Sequence, residues 1–401
     1  MLGIAYLGRV ISQMLACLLV LWQEKITRFW PMILAGLLLS CASQKTRCLR
    51  LAKRSRLADS DPEWAVVTAM ASSSLPSVGD RTTRRHSTPA RAPRYLSCMA
   101  SSPFHPELQS LARWLPRGVG RLWLVKLLRR LPIPAAKLPE GMTVQVHALD
   151  AIAVRVIGKP SEGEARPVIL WIHGGGYVIG AAKQDDMICA RLAKRLDAIV
   201  VSIDYRLAPE HPFPTPLEDC FAAYEFVQRE AALLGVDPAR LVIAGQSAGG
   251  GLAAALTLLV HDRQRPPPKL QLLIYPMLDD RTVLRSVDDG PHRLWDSSSN
   301  RLGWTCYLGR EPGSADVSDH AAPARRSDAS GLPPTWIGVG TCDLFHDEDL
   351  AYAERLRAAG VPVTLEVVEG AFHAFDVLVP KAEVSRRFFD SQVHAIEAAL
   401  S

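Results

Sequence analysis

A chain of 401 residues, 48% of them hydrophobic, can bury a large core, and one big α/β domain with a small appendage fits that length better than two equal domains. The formal charge of +5 is concentrated at the front: residues 1–98 hold 14 Lys/Arg against 5 Asp/Glu, and residues 99–401 hold 32 against 36. The last three quarters of the chain therefore carry no basic excess of the kind a nucleic-acid partner needs.

The first 42 residues contain two apolar runs, Met14–Trp22 and Phe29–Ala42, each shorter than the roughly 18 residues that a spanning helix requires. The second ends Leu38-Leu39-Ser40-Cys41, which loosely resembles a lipoprotein cleavage site, but Glu24 and Lys25 interrupt the apolar stretch. From Gln44 to Cys98 there is no period of 2 or 3.6, only scattered Arg, Ser, Pro and Ala, so residues 1–98 are expected to lie outside the fold. They read either as an upstream extension that is not normally translated, with Met99 as the natural start, or as a membrane-proximal leader. The first version implies a cytoplasmic protein. The second implies a membrane-associated or exported one, and leaves this segment as the only expected membrane contact.

Structure is expected from Met99, with helical spacing over Glu107–Leu115 and Arg121–Arg130; the basic helix is read as a lid packed on the body in preference to one lying on a membrane. Strands follow at Met142–His147, Ala151–Ile157 and the nearly all-apolar Pro167–Ile172, then a helix at Asp185–Leu196 and a strand at Ala198–Ile203. Thr215-Pro216-Leu217-Glu218 reads as a capping box opening a helix. Beyond it come a strand at Leu241–Ala244, a helix at Ala248–Val260, strands at Leu270–Tyr275 and Thr335–Val339, a helix at Asp349–Ala359, a strand at Val363–Val368 and a helix at Lys381–Leu400. Such alternation predicts a mostly parallel sheet with helices on both faces. The polar stretch 280–332, with one aromatic patch at Leu302–Leu308, is long enough to be an inserted cap. No two of the eight cysteines share a CxxC or zinc-ligand spacing, which favours reduced, mostly buried thiols.

Gly245-Gln246-Ser247-Ala248-Gly249 fits GxSxG and falls between a predicted strand and a predicted helix, the setting of a strained nucleophile turn that has no room for side chains two before and two after the serine. His173-Gly174-Gly175-Gly176 follows the buried strand Pro167–Ile172. Glycines there let backbone N–H groups approach a developing oxyanion; a phosphate-binding turn would instead show GxGxxG or a terminal Lys-Ser/Thr. A base and an acid must follow in the order Ser, Asp/Glu, His. Of the eleven histidines, His346 and His373 alone lie after Ser247 in loops following late strands, and His346 shares the acid's own loop. Asp343 follows the strand Thr335–Val339, whereas Asp347 and Glu348, the alternatives, resemble the N-terminal cap of the next helix.

With these motifs the sequence resembles the hormone-sensitive-lipase-like, or family IV, esterases and lipases of the α/β-hydrolase fold-3 group, from about Pro103 to the end. The likeness rests on His173–Gly176, on the segment Asp204-Tyr205-Arg206-Leu207-Ala208-Pro209-Glu210-His211-Pro212-Phe213-Pro214, on Gly245–Gly250, on Asp343 in Gly340-Thr341-Cys342-Asp343, and on Phe372-His373. It implies a serine carboxylester hydrolase acting on short- to medium-chain esters, with catalytic Ser247, Asp343 and His373. It also implies oxyanion donors at Gly175, Gly176 and Ala248, motif support from His173, Gly174, Gly245 and Gly249, and a cap formed by about 99–140 with 280–332. The implied partner is a small-molecule ester, with no metal, organic cofactor or nucleic acid. An amidase or deacetylase on the same residues, and a non-catalytic ligand-binding relative, are the rival readings. Gln246 departs from the family, which usually has Asp or Thr there, and a neutral amide removes a fixed charge near the site.

Overall fold

The computed structural model describes residues 102–159 and 163–401; the expectations for residues 1–98 lie outside them. Eight strands form one sheet: β1 Thr143–Ala148, β2 Ala153–Gly158, β3 Arg166–Ile172, β4 Ile199–Asp204, β5 Val236–Gln246, β6 Leu270–Ile274, β7 Thr335–Cys342 and β8 Val363–Phe372. Their spatial order is β1-β2-β4-β3-β5-β6-β7-β8. The pairs β1–β2 and β2–β4 are antiparallel, and every pair from β4 to β8 is parallel. The longer helices are α1 Leu122–Leu128, α2 Asp186–Leu196, α3 Thr215–Arg229, α4 Ala248–Asp262, α5 Ser297–Leu308, α6 His346–Ala358 and α7 Glu383–Leu400.

The two-residue period of the strands divides the core. Val168, Leu170 and Ile172 of β3 join Leu241 and Ile243 of β5 in a cluster shared with α3, α4 and α6, while Ile169, Trp171, Val242 and Ala244 point the other way toward α2 and α7. A strand covered on both faces must be apolar at every position, and from Pro167 to Ile172 each side chain is buried.

The chain departs from the sequence reading in places: the strand expected at Leu241–Ala244 runs Val236–Gln246, and only Gln109–Ala112 of the expected Glu107–Leu115 is helical. The capping box does not form: Pro214 takes the N-cap position of α3 without a side-chain bond, and Glu218 instead accepts from Arg263 at 2.7 Å. Strands β7 and β8 run past their apolar stretches because they pair with each other as far as Cys342↔Phe372. Helix α5 begins at Ser297, ahead of the aromatic patch, because Asp296 accepts from the Ser299 N–H at 2.8 Å; Gly309, at φ 67°, ends it.

The segment before the sheet and the one between β6 and β7 meet each other. The Leu294 N–H donates to the Pro116 carbonyl at 2.8 Å, and the Val119 N–H to Ser299 Oγ at 2.8 Å. Further toward the N-terminus, the His105 N–H donates to the Gly370 carbonyl at 2.9 Å and Phe104 meets Phe372 edge-on, beside the end of β8.

Candidate active site

Ser247 sits where β5 turns into α4, at φ 55° and ψ −123°, a conformation that costs energy for a residue with a Cβ. The turn is held from both sides: the Ser247 N–H donates to the Ile274 carbonyl at 2.9 Å, and the Ser247 carbonyl accepts from Gly251 and Met277 at 3.0 Å each. A Cβ on Gly245 would collide with the Gly249 carbonyl, and one on Gly249 with the carbonyls of Ile172 and His173. These two glycines are therefore required by close backbone approach.

The register of β7 with β8 delivers the partners. Because Cys342 lies opposite Phe372, the next residues, Asp343 and His373, emerge side by side at the carboxyl edge. His373 Nδ1 lies 2.8 Å from Asp343 Oδ2, and His373 Nε2 lies 2.9 Å from Ser247 Oγ. A carboxylate only accepts, so Nδ1 carries the proton and Nε2 is left to accept from the serine hydroxyl. The other Asp343 oxygen accepts the Phe345 N–H at 3.0 Å, and all three side chains are buried. Tyr275 and Phe345 close on the imidazole edge-on, with ring centroids at 4.8 and 5.4 Å.

The rival acids lie elsewhere. Asp347 is exposed and contacts His346 Nδ1 at 2.9 Å. Glu348 is not a helix cap: its buried carboxyl accepts from the backbone N–H groups of Leu278 at 2.8 Å and Asp279 at 3.1 Å and from the Thr282 hydroxyl. Burial pushes it up to about 8 against those donors.

The loop His173–Gly176 lies against the serine. A Cβ on Gly174 would come within 3.2 Å of Ser247 Cβ, and Gly175 and Gly176 have φ of 126° and 59°. The Gly175 carbonyl accepts from Val178 and Ile179, which closes the turn, and the Trp295 indole from the 280–332 segment lies so close to Gly176 that no side chain fits there. Ala248 is the first residue of α4, so its N–H belongs to the helix's unpaired first turn. His173 turns away into the core. It stacks on Tyr205 with centroids 4.2 Å apart, its Nδ1 meets the Gly174 carbonyl at 2.8 Å, and burial lowers its pKa to about 4, so it stays neutral.

Gln246 does not leave the site without an ionisable neighbour. Its Nε2 donates to both oxygens of Asp185, at 3.1 and 3.0 Å, and the Trp171 indole N–H donates to the same carboxyl at 2.8 Å. Burial raises the Asp185 pKa to about 7 in spite of these donors. The Tyr275 hydroxyl lies 3.4 Å from Gln246 Oε1 and 3.0 Å from Asp376 Oδ1, to which it donates. Sequence reasoning missed Asp185, Trp171, Tyr275 and Arg129. Only the unusual amide at 246 hinted at a partner, since a buried amide must find one. Arg129, just past α1, donates to the Val178 carbonyl at 2.6 Å, to the Ala208 carbonyl, and to Glu210 at 2.6 Å. It thereby ties α1 both to the glycine loop and to the proline-rich segment after β4.

A profile of the alpha/beta hydrolase fold-3 family matches residues 169–377. The carboxylesterase NlhH of Mycobacterium tuberculosis is 40% identical over 271 residues, which is 64% of this chain and 83% of that protein. The arylacetamide deacetylase of Mus musculus is 32% identical over 297 residues, covering 58% and 75%. Among solved structures, a bacterial heroin esterase superposes with a TM-score of 0.66 at 35% identity, over 75% of this chain and 98% of the other.

Proposed function

As a member of the α/β-hydrolase fold-3, hormone-sensitive-lipase-like family, the chain is a carboxylic ester hydrolase, and we propose that it works through an acyl-enzyme on Ser247. His373 Nε2 takes the hydroxyl proton as Ser247 Oγ attacks the ester carbonyl, and Asp343 holds the imidazole and stabilises its charge. The oxyanion is received by the N–H groups of Gly175, Gly176 and Ala248. The C–O bond to the alcohol then breaks as His373 returns the proton to it. Water, deprotonated by the same base, releases the acid and restores the serine. The observation that carries this reading is the relay Ser247–His373–Asp343, 2.9 and 2.8 Å long, beside a loop whose glycines press on the serine.

Short- to medium-chain acyl groups are the proposed substrates, a reading supported by the burial of Trp295, Trp304 and Tyr307 where the 280–332 segment meets the glycine loop and its neighbour Tyr177. Likeness to an arylacetamide deacetylase supports amides as a second leaving-group class; matched ester and anilide substrates decide between them. Replacing Ser247 or His373 by alanine lowers kcat on the order of 10⁶-fold with the fold intact, and Asp343→Asn is damaging where Asp347→Asn is not. Either alanine variant retaining a tenth of the wild-type rate, or a reversal of the two aspartate phenotypes, overturns the assignment.

A further inference from the structure

We propose that the exposed face of α1 and its flanks docks the enzyme on an anionic phospholipid surface. Between Leu108 and Pro139 the chain carries seven basic residues and no acidic one, in a stretch of the protein, residues 99–401, where acids outnumber bases. Trp123, Lys126, Leu127 and Arg130 follow one another at i, i+3, i+4 and i+7, and all four are exposed. Leu124 and Val125 are buried beneath them, so the helix is seated on the body and its outward face is left over. Trp114 and Leu131 extend the same mixture of apolar and basic side chains, Trp114 being 70% exposed.

Burial does not require this arrangement, and the interior does not neutralise it. Among the described residues no carboxylate lies within ion-pair distance of Arg113, Arg117, Lys126 or Arg130; the nearby Glu210 is taken by Arg129. Indole and leucine groups between ammonium and guanidinium heads are the composition that settles at a bilayer interface, the apolar parts among the upper acyl chains and the charges at the lipid phosphates. A polynucleotide offers the phosphates without the acyl chains. No helix among the described residues is long and apolar enough to cross a membrane, so this is attachment to one leaflet. Through Arg129 the docked face adjoins Val178 and Ala208, next to the glycine loop. The proposal does not depend on which residues perform the chemistry.

The test uses the full chain and vesicles of phosphatidylcholine alone or mixed equally with phosphatidylglycerol, read by co-sedimentation. The wild-type chain partitions to the mixed vesicles, and Trp123→Ser with Leu127→Ser, or Lys126→Glu with Arg130→Glu, each lowers the partition coefficient at least about tenfold. Both pairs alter exposed side chains only, so circular dichroism and Tm match the wild type within about two degrees. Retention of wild-type partition by either variant, the result expected if residues 1–98 did the attaching, overturns the proposal. So does a face that binds duplex DNA and loses it with the charge pair alone while the apolar pair leaves every interaction unchanged.

Discussion

Gln246 Nε2 shares the Asp185 carboxyl with the Trp171 indole, so the amide next to the nucleophile is one of the donors that hold a buried acid. Desolvation sets the Asp185 pKa at about 7, above the value near 4 of an unfolded aspartate. The folded state therefore binds more protons than the unfolded state between those limits. Its contribution is complete below about pH 4 and is lost as pH rises through about 7. Gln246→Asp removes a donor and sets a second carboxyl against the first, costing about 2 kcal/mol. The expected outcome is a folded, active variant whose Tm deficit is larger at pH 8 than at pH 5, measured by thermal scans across that range. Equal deficits at both pH values would show that the two side chains do not interact as described. The carboxyl next to Ser247 was illegible in the sequence because Asp185 is 61 residues away, and only the fold, which packs α2 on β2 and β4 and sets the turn before it against the end of β5, brings the two together.

At the scale of elements, α1 is a short helix whose attachment is decided by the residue just beyond it. Arg129 satisfies the carbonyls of Val178 and Ala208, both buried, and pairs with Glu210. Arg129→Met strands two buried acceptors, each worth about 1–3 kcal/mol, so unfolding in urea should shift by several kcal/mol in total and kcat/KM should fall as the glycine loop loosens. Arg129→Lys should rescue little, since one ammonium does not reproduce a guanidinium fork that spans three acceptors. A methionine variant as stable as the wild type would mean the loop keeps its place without this contact. Helical spacing announced α1 and its basic character, but not its anchor, because the carbonyls it reaches belong to loops 49 and 79 residues further on.

For the whole molecule, the composition of residues 1–98 stands apart from the hydrolase body, and we propose that this segment is dispensable to it. A chain beginning at Met99 should fold, keep its Tm within a degree or two, and hydrolyse a soluble short-chain ester at the full-length rate. Loss of folding or of rate on that truncation would mean that residues 1–98 pack on the body. What the amino-acid sequence determined by itself was local and periodic. The buried strand β3, the alternation of strands and helices, and the glycines at 174–176, 245 and 249 all follow from side-chain size and spacing over a few residues. Tertiary structure alone decided which long-range partners meet. The Cys342↔Phe372 register sets Asp343 beside His373, α2 sets Asp185 under Gln246, and Glu348 leaves the helix-cap role to hold the Leu278–Thr282 turn. The reason is physical: hydrophobic periodicity specifies which face of an element is buried, whereas a hydrogen bond between groups tens of residues apart depends on how those buried faces are finally stacked.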